Sequence, residues 1–210
     1  MTGPAPAVAP SPWNIANALT MLRLVLVPVF GWLLLVDGGT TPAYRYLAAA
    51  TFAAAMITDR IDGNIARSRG LITKFGQVAD PIADKTLMTM AFVGLSMIGV
   101  LWWWVTVVVL VREWGITLMR FLVIRHGVMP AGRGGKIKTG FQTGAIITLT
   151  IPLFTWPFTT LWELCGYAVL AIAVAITVFT GYEIFRDALR LRSTSERAQR
   201  KRAARERRRS

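Results

Sequence analysis

Residues 58–85 read TDRIDGNIARSRGLITKFGQVADPIADK. An apolar run precedes this stretch and another follows it, yet it holds four aspartates, at 59, 62, 80 and 84. The surrounding chain consists of nearly continuous apolar runs of about 20 residues, the length a helix needs to cross a hydrocarbon core of ~30 Å. A soluble chain of 210 residues would break such runs with polar residues at helical or alternating spacing. With 54% hydrophobic residues and a mean hydropathy of +0.48, this chain reads as an integral membrane protein. Backbone in lipid must satisfy its own hydrogen bonds, and no strand-like alternation is visible. The expected class is therefore all-α, not a barrel.

Six spans are expected: Ala18–Val36, Ala43–Asp62, Gly76–Ile98, Trp103–Ile124, Thr139–Phe154 and Leu161–Phe185. Residues 1–12, rich in Pro and Ala, read as a disordered lead without the basic start of a signal peptide. Residues 13–186 read as the membrane domain and 187–210 as a basic tail. Alternating the loops sorts the cations. One side collects Arg67, Arg69, Lys74, Arg125, Arg133, Lys136, Lys138 and the tail, and the other holds only Arg45. The positive-inside rule then makes both termini cytoplasmic and puts residues 58–85 at the cytoplasmic face of the membrane. Residues 186–210 carry eleven Lys/Arg against three Asp/Glu, eight of the formal +13. Following a span directly, this block is expected to lie on anionic lipid and not to bind nucleic acid. Cys165, the single cysteine, is read as a small packing residue. His126 is read as a solvated loop residue, Trp102, Trp103 and Trp104 as interfacial anchors, and Pro28 and Pro152 as kinks.

Asp59 and Asp62 are three residues apart, and Asp80 and Asp84 four, so each pair occupies one face of its helix. If the two helices are adjacent and antiparallel, the pairs face each other and repel unless a cation lies between them. Oxygen ligands without His or Cys suit Mg²⁺, Mn²⁺ or Ca²⁺. The alternative is a set of helix-end acids paired with Arg60, Arg67 and Lys85. Gly63 and Ala66 are small enough to admit a ligand to the backbone, and Arg67 offers a cation for phosphate oxygens. Pro81 suits the first turn of a helix with Asp80 as its N-cap, or else a kink within a longer span.

The spacing Asp59-x2-Asp62-Gly63-x2-Ala66-Arg67-x8-Gly76-x3-Asp80-x3-Asp84 resembles the signature of the CDP-alcohol phosphatidyltransferase family at every fixed position. The resemblance extends over residues 14–186 and implies that family's six-helix membrane fold. It implies displacement of CMP from a CDP-linked lipid, CDP-diacylglycerol, by a hydroxyl. It implies that Asp59, Asp62, Asp80 and Asp84 hold two divalent ions, Mg²⁺ or Mn²⁺, with Asp84 also the general base. Asp62, Gly63, Ala66, Arg67 and Gly76 would bind the CDP-lipid, and a homodimer is implied as well.

Three further features resemble the branch of that family that uses glycerol 3-phosphate. They are Asn14-Ile-Ala-Asn17-Ala-Leu-Thr20-Met-Leu-Arg23, then Asp80-Pro81-Ile-Ala-Asp84-Lys85, and Arg112-Glu113 with Arg120 and Gly135-Lys136-Ile-Lys138-Thr139. Asn17, Thr20 and Arg23 recur every three positions, a polar stripe expected to face the protein interior or to bond between helices. Glu113 joins this polar lining, or simply neutralises Arg112. Arg112 and Arg120 lie within about 80° on one helix. With Lys136 and Lys138 they are candidates for an acceptor-phosphate pocket. The rival acceptors are phosphatidylglycerol, as in a CDP-alcohol-type cardiolipin synthase, and inositol phosphate. Outside this class stand a divalent-cation transporter and a non-catalytic membrane scaffold.

Overall fold

The structure, a computed structural model, describes residues 14–68, 73–123 and 134–194. Among them there are helices and no strands. The helices are α1 (Ile15–Leu35), α2 (Pro42–Ser68), α3 (Lys74–Met97), α4 (Trp103–Val123), α5 (Gly134–Thr150) and α6 (Thr159–Thr194). Short 3-10 turns at Val36–Gly39 and Leu153–Thr155 follow α1 and α5. The stretches Asn17–Gly39 and Thr159–Arg186 are long and apolar enough to cross a membrane.

Each helix start and stop has a local cause. Asn14 caps α1, its Oδ1 accepting from Asn17 N at 2.9 Å. Such a side chain replaces one of the partners that the first N–H groups of a helix lack. After α1 the chain reverses through Asp37, Gly38 and Gly39, all at positive φ. Two of the three are glycines, which carry no steric penalty there. Pro28 lies inside α1. Pro152, expected to kink a span, instead follows the end of α5 two residues beyond Thr150. Lacking an N–H and fixed in φ, it cannot continue the helix.

Two expectations about the central stretch are corrected. Residues 66–68, read as loop, continue α2, so Asp59 and Asp62 lie inside the helix rather than at its exit. Asp80 is not an N-cap. α3 begins six residues earlier, capped by Thr73, whose Oγ1 accepts from Gly76 N at 3.0 Å. Pro81 therefore sits within α3, which is the second of its two readings, a place inside a longer helix.

The described residues fall into two compact units. The first is drawn from Met1–Leu101 and Ile147–Thr159, and the second from Trp102–Ile146 and Thr160–Ser210. In the first, α1 packs along both α2 and α3, while α2 and α3 meet only sparsely. Phe30 of α1 and Phe52 of α2 are both fully buried, with ring centroids 5.4 Å apart. Against α3 the fit is reciprocal. Met90 fills the space beside Gly31, and Leu34 fills the space beside Gly94, where an added Cβ would come within 2.3 Å and 2.7 Å of those side chains. Small residues that admit a neighbour's side chain are how helices gain van der Waals contact where lipid removes the hydrophobic drive.

Arg45 of α2 is buried and closes the end of α5. Its Nε donates to Thr150 O at 2.9 Å, and its Nη2 donates to Leu149 O at 2.6 Å and Ile151 O at 3.3 Å. The guanidinium also lies 5.7 Å from the Phe154 ring centroid. A cation at a helix C-terminus meets both the unpaired carbonyls and the negative end of the dipole.

In the second unit, Gln142 of α5 donates to Thr177 Oγ1 of α6 at 3.0 Å. Trp102 lies against Tyr167, ring centroids 5.2 Å apart. Cys165, expected to pack inside, is exposed on α6. Large apolar side chains such as Val107, Val111, Leu164, Ile172 and Phe179 are also exposed. Such faces are costly in water and ordinary in lipid.

Candidate functional site

The acidic residues of α2 and α3 meet around α1. Arg23, with no exposed surface, places Nη1 2.8 Å from Asp59 Oδ1, and Nη2 donates to Asp62 Oδ2. The Thr20 hydroxyl donates to Asp80 Oδ1. One turn earlier, Asn17 Oδ1 accepts from Thr73 Oγ1 at 3.0 Å, tying α1 to the start of α3. Helix geometry explains the division of labour. Each step of three residues falls 60° short of a full circle. Asn17 and Thr20 thus face α3, and Arg23 has turned to α2.

Burial differs within the cluster. The Asp62 side chain is 4% exposed and that of Asp59 36%. Asp59 and Asp80 are close enough to act electrostatically on Asp62. Asp84, one turn beyond Asp80 on α3, is partly exposed. Gly76 is fixed by the same cluster. A Cβ there would meet Asn17 Oδ1 at 2.8 Å and Thr73 Oγ1 at 3.3 Å, with Asp80 Oδ2 at 3.8 Å. Gly63 lies on α2 beside Asp62. The side chains of Ala66, Arg67, Arg120, Lys136 and Lys138 lie outside the described set, as do His126, Arg125, Arg133 and the tail from residue 195.

The expectation of two facing pairs left out the helix that contacts both of them. α1 supplies the groups between them, and the compensating cation of the α2 pair is Arg23. Local spacing shows which residues share a helix face but not which helix lies opposite. Among the described residues, no three acidic, His or Cys side chains form a ready metal cage. The donor set still suits a hard divalent ion in kind, being carboxylate oxygens alone. Among the described residues, Asp59 Oδ2 and Asp80 Oδ2 take no side-chain hydrogen bond. Arg23 is itself incompletely satisfied. Its Nε has no hydrogen-bond partner, and Nη1 is near Asp59 without being aimed at it.

A second polar cluster lies in the other unit. Arg112 Nη1 donates to Glu113 Oε1 at 3.1 Å, Nε to Thr177 O at 3.1 Å and Nη2 to Thr180 Oγ1 at 2.7 Å. Gly181 leaves room for the Arg112 stem, since a Cβ there would lie 3.0 Å from Arg112 Cγ. The mutual neutralisation read from the Arg-Glu pair is present. The threonines of α6 are an addition that sequence reasoning missed, although Thr177 and Thr180 are spaced three apart in the apolar middle of that helix.

An all-helical chain with extensive exposed apolar surface, holding a buried cluster of carboxylates around an arginine, defines a membrane-embedded site suited to phosphate esters. The chain belongs to the CDP-alcohol phosphatidyltransferase family, whose model matches residues 13–179. That family is membrane-embedded and uses a divalent metal ion. A probable phosphatidylglycerophosphate synthase of Mycobacterium tuberculosis (strain CDC 1551 / Oshkosh) is 50% identical over 177 residues, 84% of this chain and 82% of that protein. A CDP-diacylglycerol–glycerol-3-phosphate 3-phosphatidyltransferase of Bacillus subtilis (strain 168) is 32% identical over 82% of this chain and 94% of its own length. One of the same name from Pseudomonas fluorescens is 34% identical over 83% and 90%.

Proposed function

We propose that the chain transfers the phosphatidyl group of CDP-diacylglycerol to glycerol 3-phosphate, giving phosphatidylglycerophosphate and CMP. The observation that carries this reading is the cluster of Asp59, Asp62 and Asp80 around Arg23 and Thr20, at the family's fixed spacing. The names of the relatives support the acceptor.

Asp59, Asp62, Asp80 and Asp84 are the proposed metal ligands, for two Mg²⁺ or Mn²⁺ ions. Bound there, the metal supplies positive charge against the phosphoryl oxygens and the departing CMP. Asp84 accepts the proton of the attacking hydroxyl. Its partial exposure leaves it accessible to a water-soluble acceptor. Asp62, Gly63, Ala66, Arg67 and Gly76 hold the CDP-lipid. Arg112, Arg120, Lys136 and Lys138 hold the acceptor phosphate, Arg112 positioned by its bonds to α6.

The same reading takes all six helices as spans of one catalytic domain, residues 13–186, in a bacterial plasma membrane. Both termini and the site face the cytoplasm. Arg45 supports this orientation. The lone cation of the opposite loops is spent as a helix cap, so the remaining loop cations lie on one side. Homodimerisation, and contact of the tail with anionic lipid, complete the proposal.

The test is to supply labelled glycerol 3-phosphate, inositol phosphate or phosphatidylglycerol separately to the purified protein with CDP-diacylglycerol and Mg²⁺. Labelled lipid is expected from glycerol 3-phosphate alone. Product from phosphatidylglycerol alone would replace this acceptor.

A further inference from the structure

Arg23 is unusual among the charged groups of the first unit. It is fully buried, it touches one carboxylate that is buried and one that is not, and its Nε finds no hydrogen-bond partner. A guanidinium with five donors is normally spent on directed bonds. Here only the contact with Asp62 is a hydrogen bond, and the contact with Asp59 is one of charge alone. The residue thus serves the site as positive charge more than as a hydrogen-bond fork. It serves the two acids assigned above to the metal.

We infer that Arg23 is a resident counter-cation of the Asp59–Asp62 pair, holding the carboxylates together before metal binds and weakening divalent-ion affinity by its charge. This rests on the metal reading above and adds a regulator to that site. Two opposed effects follow from one contact. Without Arg23, Asp59 and Asp62 lose their compensating charge, and the metal-free protein is destabilised. A divalent ion entering near them then no longer meets a fixed positive charge a few ångströms away. Asp side chains are short and regain little freedom when released. The charge effect therefore exceeds the loss of positioning, and divalent binding tightens.

The experiment uses the full chain in detergent. Mn²⁺ binding is followed by loss of the free-ion electron paramagnetic resonance signal, and thermal unfolding is measured with and without Mn²⁺. The variants are R23Q, R23K and, as a control of the metal reading, D59N. R23Q is expected to bind Mn²⁺ tighter by at least about tenfold, the scale of one unit charge a few ångströms from a divalent ion. Without metal it should melt below the wild type, and saturating Mn²⁺ should close the gap. R23K keeps the charge and should keep the wild-type affinity. If R23Q folds only when purified with Mn²⁺, that dependence supports the inference equally, and R23K then supplies the affinity comparison. R23Q binding Mn²⁺ no tighter than the wild type, or failing to fold even with Mn²⁺ while R23K is unchanged in both measurements, overturns it. Wild-type binding that D59N leaves intact, or no binding by any form, removes the metal assignment itself.

Discussion

Thr20→Val removes the hydrogen bond that α1 gives to Asp80 through the Thr20 hydroxyl. Thr20 is 1% exposed, and its hydroxyl donates to Asp80 Oδ1. Valine keeps the shape and replaces the donor with a methyl group, so packing survives while the carboxylate loses its partner. A hydrogen bond to a charged group contributes about 1.5–3 kcal/mol. Asp80 is only partly buried, so water offsets some of the loss, and the lower end, ~1.5 kcal/mol, is the better estimate. If that bond holds Asp80 in its ligating orientation, the same free energy is about tenfold in metal affinity. CMP release titrated against Mg²⁺ at saturating substrates should therefore show half-saturation at roughly tenfold higher Mg²⁺. Thr20→Ser keeps the hydroxyl and loses one buried methyl, about 0.8 kcal/mol. It should melt slightly lower with the Mg²⁺ dependence unchanged. Equal Mg²⁺ curves for the two variants would refute the reasoning, because the hydroxyl would then serve stability alone.

Three other substitutions probe separate parts of the argument. Arg45→Met should lower stability by about 2–4 kcal/mol, since it takes the Arg45 donors from the carbonyls of Leu149 and Thr150, while Ile151 O keeps the Leu153 N–H. Thermal melts in detergent measure this, and a change under 1 kcal/mol would remove the helix-closing role. Gly76→Ala forces a methyl against Asn17 Oδ1 and Thr73 Oγ1 and should cost about 1–3 kcal/mol, read by the same melts; a neutral outcome would mean the α1–α3 cap yields freely. Asp84→Asn should abolish CMP release while the protein still inserts and melts as the wild type, and retained turnover would take the proton-acceptor role from Asp84.

The fold was legible where local rules govern it. Each of the six apolar runs is a helix, and the Asp37-Gly38-Gly39 and Trp156–Phe158 breaks fall where Gly and Pro punctuate the chain. Two local signals competed at the start of α3: Asp80-Pro81 looks like a helix start, yet Thr73, which caps the N–H of Gly76, is the one used, and α3 begins two residues before the expected span start. The α2 end was misplaced because charge was taken to mean loop, whereas Ala66-Arg67-Ser68 carries no residue that forbids a helix. At the site, residue identity was readable and partnership was not. Arg23 was grouped with Asn17 and Thr20 by spacing, but its bond to Asp59 and Asp62 depends on α1 packing between helices that are consecutive in the chain. Arg112 shows the reverse. Its neutralisation by the adjacent Glu113 needed no tertiary knowledge, and its hold on Thr177 and Thr180 did.

The placement of Arg23 also explains why fold and site cannot be separated in this unit. Burying a guanidinium costs several kcal/mol unless carboxylates compensate it, and lipid offers helices no hydrophobic drive to associate. α1 can therefore seat its arginine only where Asp59 and Asp62 are, and those acids are brought near Asp80 only where α1 is seated. The two acids are unequal in this respect. Asp62 is nearly as buried as Arg23 and takes its directed bond, whereas Asp59 is 36% exposed and shares its charge with solvent. Removing the carboxylate charge at position 62 leaves a buried cation short of its principal partner. Removing it at position 59 leaves that partner in place. Both acids are proposed metal ligands, but the structural consequence of losing them differs, and Asp62 is the one on which the packing of α1 against α2 depends.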